Sequence, residues 1–267
     1  MLIDIHTHIF PQKNASKVVQ VLEAGFLDVQ GKPYCAHTDG TVQGLRKAMA
    51  EFHVDKCVVM PIATTVKQSS SINQFAESID SDDVRSFGSV HPMQSDWDTT
   101  LNELAEKKIK GIKLHADYQN FYIDCKESIA VLKKADELGL YVTLHSGVDF
   151  GMEAPQHCTP ERLYHVLQEV SGKNIIAAHI GSYGYWDDVE RYLVGTPVMM
   201  DTASVCEDID PVQYKRIIQN HGADKVMFGT DSPWWTPGEA VAMLESLGLP
   251  QEDLEKIKWK NALKLFW

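Results

Sequence analysis

Eight short apolar runs punctuate this chain, and most are followed by a segment of helical character. In order they are Met1–Phe10, Lys56–Pro61, Val84–His91, Gly111–His115, Leu140–His145, Asn174–His179, Pro197–Asp201 and Lys225–Asp231. The intervening stretches read as helices. Gly40–Val54 puts Leu45, Ala48, Met49 and Phe52 on one face, and Ser71–Ile79, Asp98–Lys108 and Glu127–Leu138 follow, the last ended by Gly139. Another helix begins at Thr159, a capping residue followed by Pro160 at the first helical position. Asp187–Leu193, Pro211–Asn220, Gly238–Leu247, Gln251–Lys256 and a last turn at Asn261–Phe266 complete the set. Strand and helix in regular alternation predict an α/β protein with a parallel sheet, and eight repeats predict a closed (β/α)8 barrel of the TIM type.

At 267 residues the chain fits one such barrel, and no linker, charge block or low-complexity segment divides it, so residues 1–267 are read as a single domain. An open doubly wound sheet is the competing architecture. It lacks support, because no G-x-G-x-x-G follows the first strand and Gly181-Ser-Tyr-Gly184 is too short a glycine signal. The irregular stretch from Pro11 to Asp39, helical around Ala15–Ala24, is long for a connection in a barrel, and such loops often build part of a pocket.

Polar residues fall at the strand ends. The first, fourth, fifth, sixth and eighth runs end in His6 and His8, His115, His145, His179 and Asp231. In a barrel the C-terminal strand ends meet at one mouth, where active sites are built. His6 and His8, two apart, share one face of a strand about 6–7 Å apart along the chain, and two neutral imidazoles there can converge on a nitrogen-preferring ion such as zinc. Two partly exposed histidines near a chain end is the plainer reading of that pair alone. Five strand ends of this kind are harder to explain by packing, since gathering so many ionisable groups without a compensating ion costs several kcal/mol.

The 25 basic and 37 acidic side chains leave a net charge of −12 with no basic stripe, which argues against nucleic acid. Cys35, Cys57, Cys125, Cys158 and Cys206 form no C-x-x-C pair, as expected of reduced thiols, and Cys57 inside its apolar run reads as core filler. The absence of a basic leader, an apolar signal segment or a membrane-length run predicts a cytoplasmic protein with no membrane association.

The motifs Ile5-His6-Thr7-His8, Gly111-Ile-Lys-Leu-His115, Leu144-His145-Ser-Gly147, Ala178-His179-Ile-Gly181 and Phe228-Gly-Thr-Asp-Ser-Pro233, with the closing Asn261-Ala-Leu-Lys-Leu-Phe266, resemble the amidohydrolase superfamily. More narrowly, they resemble its branch of metal-dependent hydrolases that also holds the amino-carboxymuconate-semialdehyde and resorcylate-type decarboxylases. The resemblance spans nearly the whole chain and implies that His6, His8, His145 and Asp231 ligate one divalent ion, most naturally Zn2+, with His179 beside it as acid/base or substrate-polarising group. It further implies that Asp231 takes a proton from a metal-activated water and returns it to a leaving group. In binuclear relatives a lysine on the fourth strand is carboxylated and bridges two ions; Lys113, His145 and His179 would form that set, against the simpler reading of Lys113 as an interior lysine paired with Asp4. One ion is the expectation. His115, two residues beyond Lys113 on the same face, departs from the decarboxylase pattern and reads either as a substrate contact or as a residue that closes a loop.

Lesser candidates are Trp234 and Trp235 as pocket walls, Tyr118, Tyr183 and Tyr185 as substrate contacts, and Asp201 as the orienter of a ligand. Arg46 and Arg162 read as surface charges, and His37, His53, His157, His165 and His221 as bystanders. The expected activity is hydrolysis of a C–N or C–O bond in a small polar amide, lactone or ester. The alternative is a metal-dependent, non-oxidative decarboxylase of a small unsaturated or aromatic acid. A catalytically silent binding barrel is disfavoured by the complete set of strand-end ligands. A homodimer is compatible with the fold, but no segment marks an interface.

Overall fold

Parallel pairing organises the computed structural model, which describes residues 1–25, 35–205 and 208–267; Cys206 and part of the Pro11–Asp39 connection lie outside them. The strands are β1 (Ile3–Thr7), β2 (Lys56–Val59), β3 (Val84–Ser86), β4 (Gly111–Leu114), β5 (Tyr141–Leu144), β6 (Ile175–Ala177), β7 (Met199–Asp201) and β8 (Val226–Met227). They pair in sequence order as β1-β2-β3 and β4-β5-β6-β7-β8. Backbone hydrogen bonds join the two groups into a closed barrel. On one side Gly88 donates to Gly111 and Lys113 to Gly88; on the other Ile5 donates to Phe228, Asp231 to His6 and His8 to Ser232.

Helices α1 (Ala15–Gly25), α2 (Val42–Glu51), α3 (Ser69–Ile79), α4 (Trp97–Glu106), α5 (Lys126–Glu137), α6 (Pro160–Val166), α7 (Trp186–Tyr192), α8 (Pro211–His221), α9 (Pro237–Ser246), α10 (Gln251–Glu255) and α11 (Asn261–Phe266) alternate with and follow the strands. Local chemistry fixes their starts. Thr159 caps α6 by accepting from Arg162, with Pro160 next, as its sequence predicts. Asp210 caps α8, and Thr236 with Glu239 forms a reciprocal capping box on α9. No helix among the described residues is long and apolar enough to cross a membrane.

The core has two layers. Outside the barrel wall, Leu45, Met49, Cys57, Val59, Leu101, Ile112, Leu114 and Val131 pack strands against helices. Cys57 is fully buried there, its thiol against the sulfur of Met49. Inside the lower barrel, Ile3, Ile5, Val58, Met60, Phe87, Ile176, Met199 and Met227 form a second cluster, closed by Ala262 and Phe266 of α11. The last helix therefore plugs one end of the barrel with apolar side chains. Polar chemistry is left to the other end.

β1 departs from a regular strand. Its register against β2 shifts between Asp4 and Thr7. A bulge of this kind re-aims side chains, and here it lets Ile5 join the interior apolar cluster while the adjacent His6 also reaches interior partners. Asp4 is turned elsewhere: its carboxylate accepts from the Thr230 hydroxyl at 2.6 Å and from the Thr230 and His6 amides, each at 3.1 Å. The expected Lys113–Asp4 pair does not form, because strict alternation along β1 breaks at this point.

His221, at the end of α8, shows the cost of a buried imidazole. Its Nε2 donates to the Val198 carbonyl at 2.8 Å and its Nδ1 accepts from the Gly195 amide at 3.3 Å, which fixes a neutral ring. Burial, reinforced by nearby Lys225, lowers its pKa to about 4. The unfolded chain, with an ordinary histidine near 6.5, then binds more protons than the fold between those values, so stability is full above pH ~6.5 and falls as pH drops toward ~4. We expect the fall in unfolding temperature across that window to be shallower in His221→Gln than in the wild type, measured by thermal melts at stepped pH; parallel curves would contradict this assignment.

Candidate metal centre and its cavity

The strand ends bring the expected residues to one mouth, each held from behind by a hydrogen bond that dictates which ring nitrogen carries the proton. His6 Nδ1 lies 2.8 Å from the Asp201 carboxylate, an acceptor only, so Nδ1 donates and Nε2 keeps its lone pair. His8 Nδ1 donates to the Met60 carbonyl at 3.0 Å, leaving its Nε2 bare by the same logic. His179 Nδ1 donates to the Ala203 carbonyl at 2.9 Å, so its Nε2 accepts the proton of His145 Nδ1, 3.1 Å away. That leaves the Nε2 of His145 unprotonated, buried and without a hydrogen-bond partner.

These inward-facing lone pairs, that of His145 without a partner, are the test of whether the site fits a metal. Donor atoms of His6, His8 and Asp231 lie within 4.8 Å of one another. One Asp231 oxygen sits 3.0 Å from His8 Nε2 and 3.5 Å from His6 Nε2, so three acceptors converge. A divalent cation accounts for such an arrangement, and imidazole and carboxylate are its ordinary ligands. The donor set fits.

The grouping differs in one respect from the expected four-residue set. His145 falls in a second trio with His115 and Asp149, also within 4.8 Å, and reaches the first through His179. Among its partners His115 is committed. Its Nδ1 accepts from the Tyr118 amide at 3.3 Å and its Nε2 donates to Asp149 at 3.1 Å. The ring is sandwiched between those of Tyr118 and His145, centroids 3.8 and 4.0 Å away and planes 6° apart. An imidazole with neither lone pair free, stacked parallel to its neighbour, is badly placed to share an ion with it.

Lys113 is fully buried on β4 and donates to His6 Nε2 at 3.1 Å. Burial lowers its pKa to about 8, against the attraction of Asp201 and Asp231. Burial would raise Asp201, but His6 pulls it down to about 2; burial likewise opposes, and His6 and His8 override, to hold Asp231 well below the carboxylate range. Both acids are anions at neutral pH. Burial and Lys113 lower His6 to about 4, and burial with neighbouring His115 and His179 drives His145 well down, keeping both rings neutral as ligands require.

Above this floor opens a cavity of about 270 Å³. Its walls are mainly apolar: Ile9, Phe10, Phe75, Phe150, Trp234 and Trp235 are among them, and Lys113 is the one lysine or arginine among the described lining residues. Tyr118 and Tyr183 line it as expected, whereas Tyr185 turns away to donate to Gln156. Arg46 and Arg162 pair with Asp83 and Asp124 away from the cavity. Asp201 orients His6, as expected. Sequence reasoning missed Asp149 and Ser204. The latter donates to Asp231 at 2.7 Å; both sit in loops after strands, and Asp149 stood four residues past His145 as a signal in plain view.

Backbone geometry serves the same floor. Asp231 and His179 adopt left-handed φ of 69° and 63°, uncommon for non-glycine residues and typical of functional turns. Gly229 gives His6 its room, since a Cβ there would lie 2.9 Å from the Cβ of His6. We expect Gly229→Ala to lower stability by roughly 1–3 kcal/mol through this overpacking. Chemical denaturation measures it, and an unchanged midpoint would show that β1 yields freely.

A family model described as amidohydrolase matches residues 3–266. No curated protein matches the sequence in a direct search. Among solved structures, the chain is similar to the 5-carboxyvanillate decarboxylase of Sphingomonas paucimobilis (16% identity, TM-score 0.70, 99% of this chain and 98% of that one). It is also similar to a dihydroxybenzoic acid decarboxylase of Polaromonas with bound manganese and 2-nitroresorcinol (16%, 0.70, 99% and 96%). A third likeness is to a probable 2-pyrone-4,6-dicarboxylic acid hydrolase of Acinetobacter baumannii (15%, 0.67, 99% and 98%). At such identities these likenesses speak for the fold, while the whole-length family match fixes the relationship: this chain is an enzyme that belongs to the amidohydrolase family.

Proposed function

We propose that the protein is a metal-dependent, non-oxidative decarboxylase of a small unsaturated or aromatic acid. The observation that carries this reading is the cavity itself, an apolar-walled chamber over a floor whose described lining offers a single ammonium, Lys113. Walls of Phe, Ile and Trp favour a flat unsaturated body, and removing water from a carboxylate raises the cost of keeping charge on its oxygens, which favours moving the electron pair onto carbon as neutral CO2 leaves. The sequence puts hydrolysis first. The apolar walls, and the decarboxylase activities of two of the three similar enzymes, support the reverse order.

His6, His8, His145 and Asp231 would hold one divalent ion. When bound, it supplies positive charge for substrate oxygens and lowers the pKa of a water. Zinc suits the donor set, and the manganese of the Polaromonas enzyme makes that ion the second to test. Lys113 attracts the substrate carboxylate to the floor. His179, locked by Ala203 and His145, stands beside it to orient the reacting group. The C–C bond breaks, CO2 leaves, and the electron pair left on carbon takes a proton. Asp231, an anion steadied by the Ser204 hydroxyl, relays that proton from water.

Hydrolysis of an amide, ester or lactone is the second reading, favoured by the deprotonated Asp231, which can also take a proton from an attacking water and pass it to a leaving group. A cytoplasmic location and a small-molecule substrate, without nucleic acid or membrane, complete the proposal; a homodimer is open to test by sedimentation. Incubating metal-loaded protein with aromatic acids, amides and lactones separates the readings. We expect CO2 release, lost by about 100-fold or more in Asp231→Asn while bound metal largely persists. Lactone or amide cleavage without CO2 would overturn decarboxylation, and full turnover in the variant would remove Asp231 as the proton relay.

A further inference from the structure

Among the described lining residues, Asp149 alone carries a charge that the proposed reaction does not use. It lies in the loop after β5, lines the cavity, and its side chain is 13% exposed. Three donors brace it: Oδ1 accepts from the Tyr118 hydroxyl at 3.2 Å and the Gly151 amide at 2.9 Å, and Oδ2 accepts from His115 Nε2 at 3.1 Å. A carboxylate offers about four accepting positions, so Oδ2 keeps one. The stacked rings of Tyr118, His115 and His145 hold these donors in place. His115 itself, with both nitrogens engaged, is a brace and not a proton carrier.

Lys113 is the cation of the described lining and lies beside His6, while Asp149 presents a fixed anion within 4.8 Å of a ring nitrogen of His145. A molecule seated with its carboxylate on the floor meets Asp149 with another part of its body. A hydroxyl or amino group there completes the acceptor, whereas a second carboxylate meets like charge in a poorly solvated place. Structural bracing alone would not require Asp149 to border the cavity.

We propose that Asp149 is a specificity-determining residue, which accepts a hydrogen bond from a hydroxyl or amino group of the substrate and rejects a second carboxylate. This rests on the reading of the substrate as a small unsaturated acid. The class it selects is a monoacid bearing an O–H or N–H donor.

The test measures binding separately from turnover. Quenching of tryptophan fluorescence would give Kd for the ortho, meta and para aminobenzoates and hydroxybenzoates against the matching benzenedicarboxylates, using zinc-loaded wild type and Asp149→Asn. We expect the wild type to bind at least one donor-bearing isomer roughly tenfold or more tighter than its dicarboxylate match, the scale of a hydrogen bond to a charged group. In Asp149→Asn that preference should collapse, with dicarboxylates gaining affinity. Equal preference in both proteins, a wild type that favours dicarboxylates, or no binding of either series would overturn the proposal. So would a second equivalent of zinc bound by the wild type and lost in the variant, for Asp149 would then be a ligand. If the variant fails to fold, the wild-type ratio alone still decides. An Asp149-dependent preference without CO2 release sinks decarboxylation and keeps this assignment; CO2 release without the preference does the opposite.

Discussion

Three acceptors turned toward one point are the constraint around which the rest of this molecule is arranged. The Nε2 atoms of His6 and His8 and an oxygen of Asp231 converge because acceptors behind the rings, Asp201 and the Met60 carbonyl, claim the other nitrogen's proton. His145 arrives at the same state by a longer route, through His179 and the Ala203 carbonyl. Unscreened, these lone pairs repel one another; with a cation between them they attract it. Buried groups in this arrangement are costly to assemble, and a metal's binding energy offsets that cost.

The barrel makes the convergence possible by division of labour. Its lower half is filled with Ile, Val, Met and Phe and closed by Phe266, which fixes the strands rigidly without polar atoms. Its upper rim is free to carry polar side chains, all from strand ends. The bulge in β1 belongs to this design, for it lets one short strand donate Ile5 to the apolar plug and His6 to the polar floor. Pre-formed ligand geometry and an apolar chamber above it are two halves of one chemistry, since positive charge acts more strongly where water is excluded.

Much of this was legible in the sequence. The strands announce themselves because buried parallel strands are continuously apolar, and the strand-end histidines stand out against such runs. Capping residues such as Thr159-Pro160 predict helix starts within a residue. What failed to show were the features that depend on contacts between distant segments. Lys113 bonds His6 and not Asp4, because a bulge has no signature in the one-dimensional pattern. Ring tautomers hang on carbonyls of Met60 and Ala203, and every residue has a carbonyl. Asp149 and Ser204 sit in loops, where periodicity says nothing. The order of hydrolysis and decarboxylation was beyond the motifs, because both chemistries use the same floor and differ in what stands above it.

The central claim is that one divalent ion sits among His6, His8 and Asp231, with His145 completing its shell. Crystals grown with zinc and measured on both sides of the zinc absorption edge test it directly. The account predicts a single anomalous peak per chain within bonding distance of those side chains. No peak there in metal-saturated crystals, or a peak held by other residues, would contradict it.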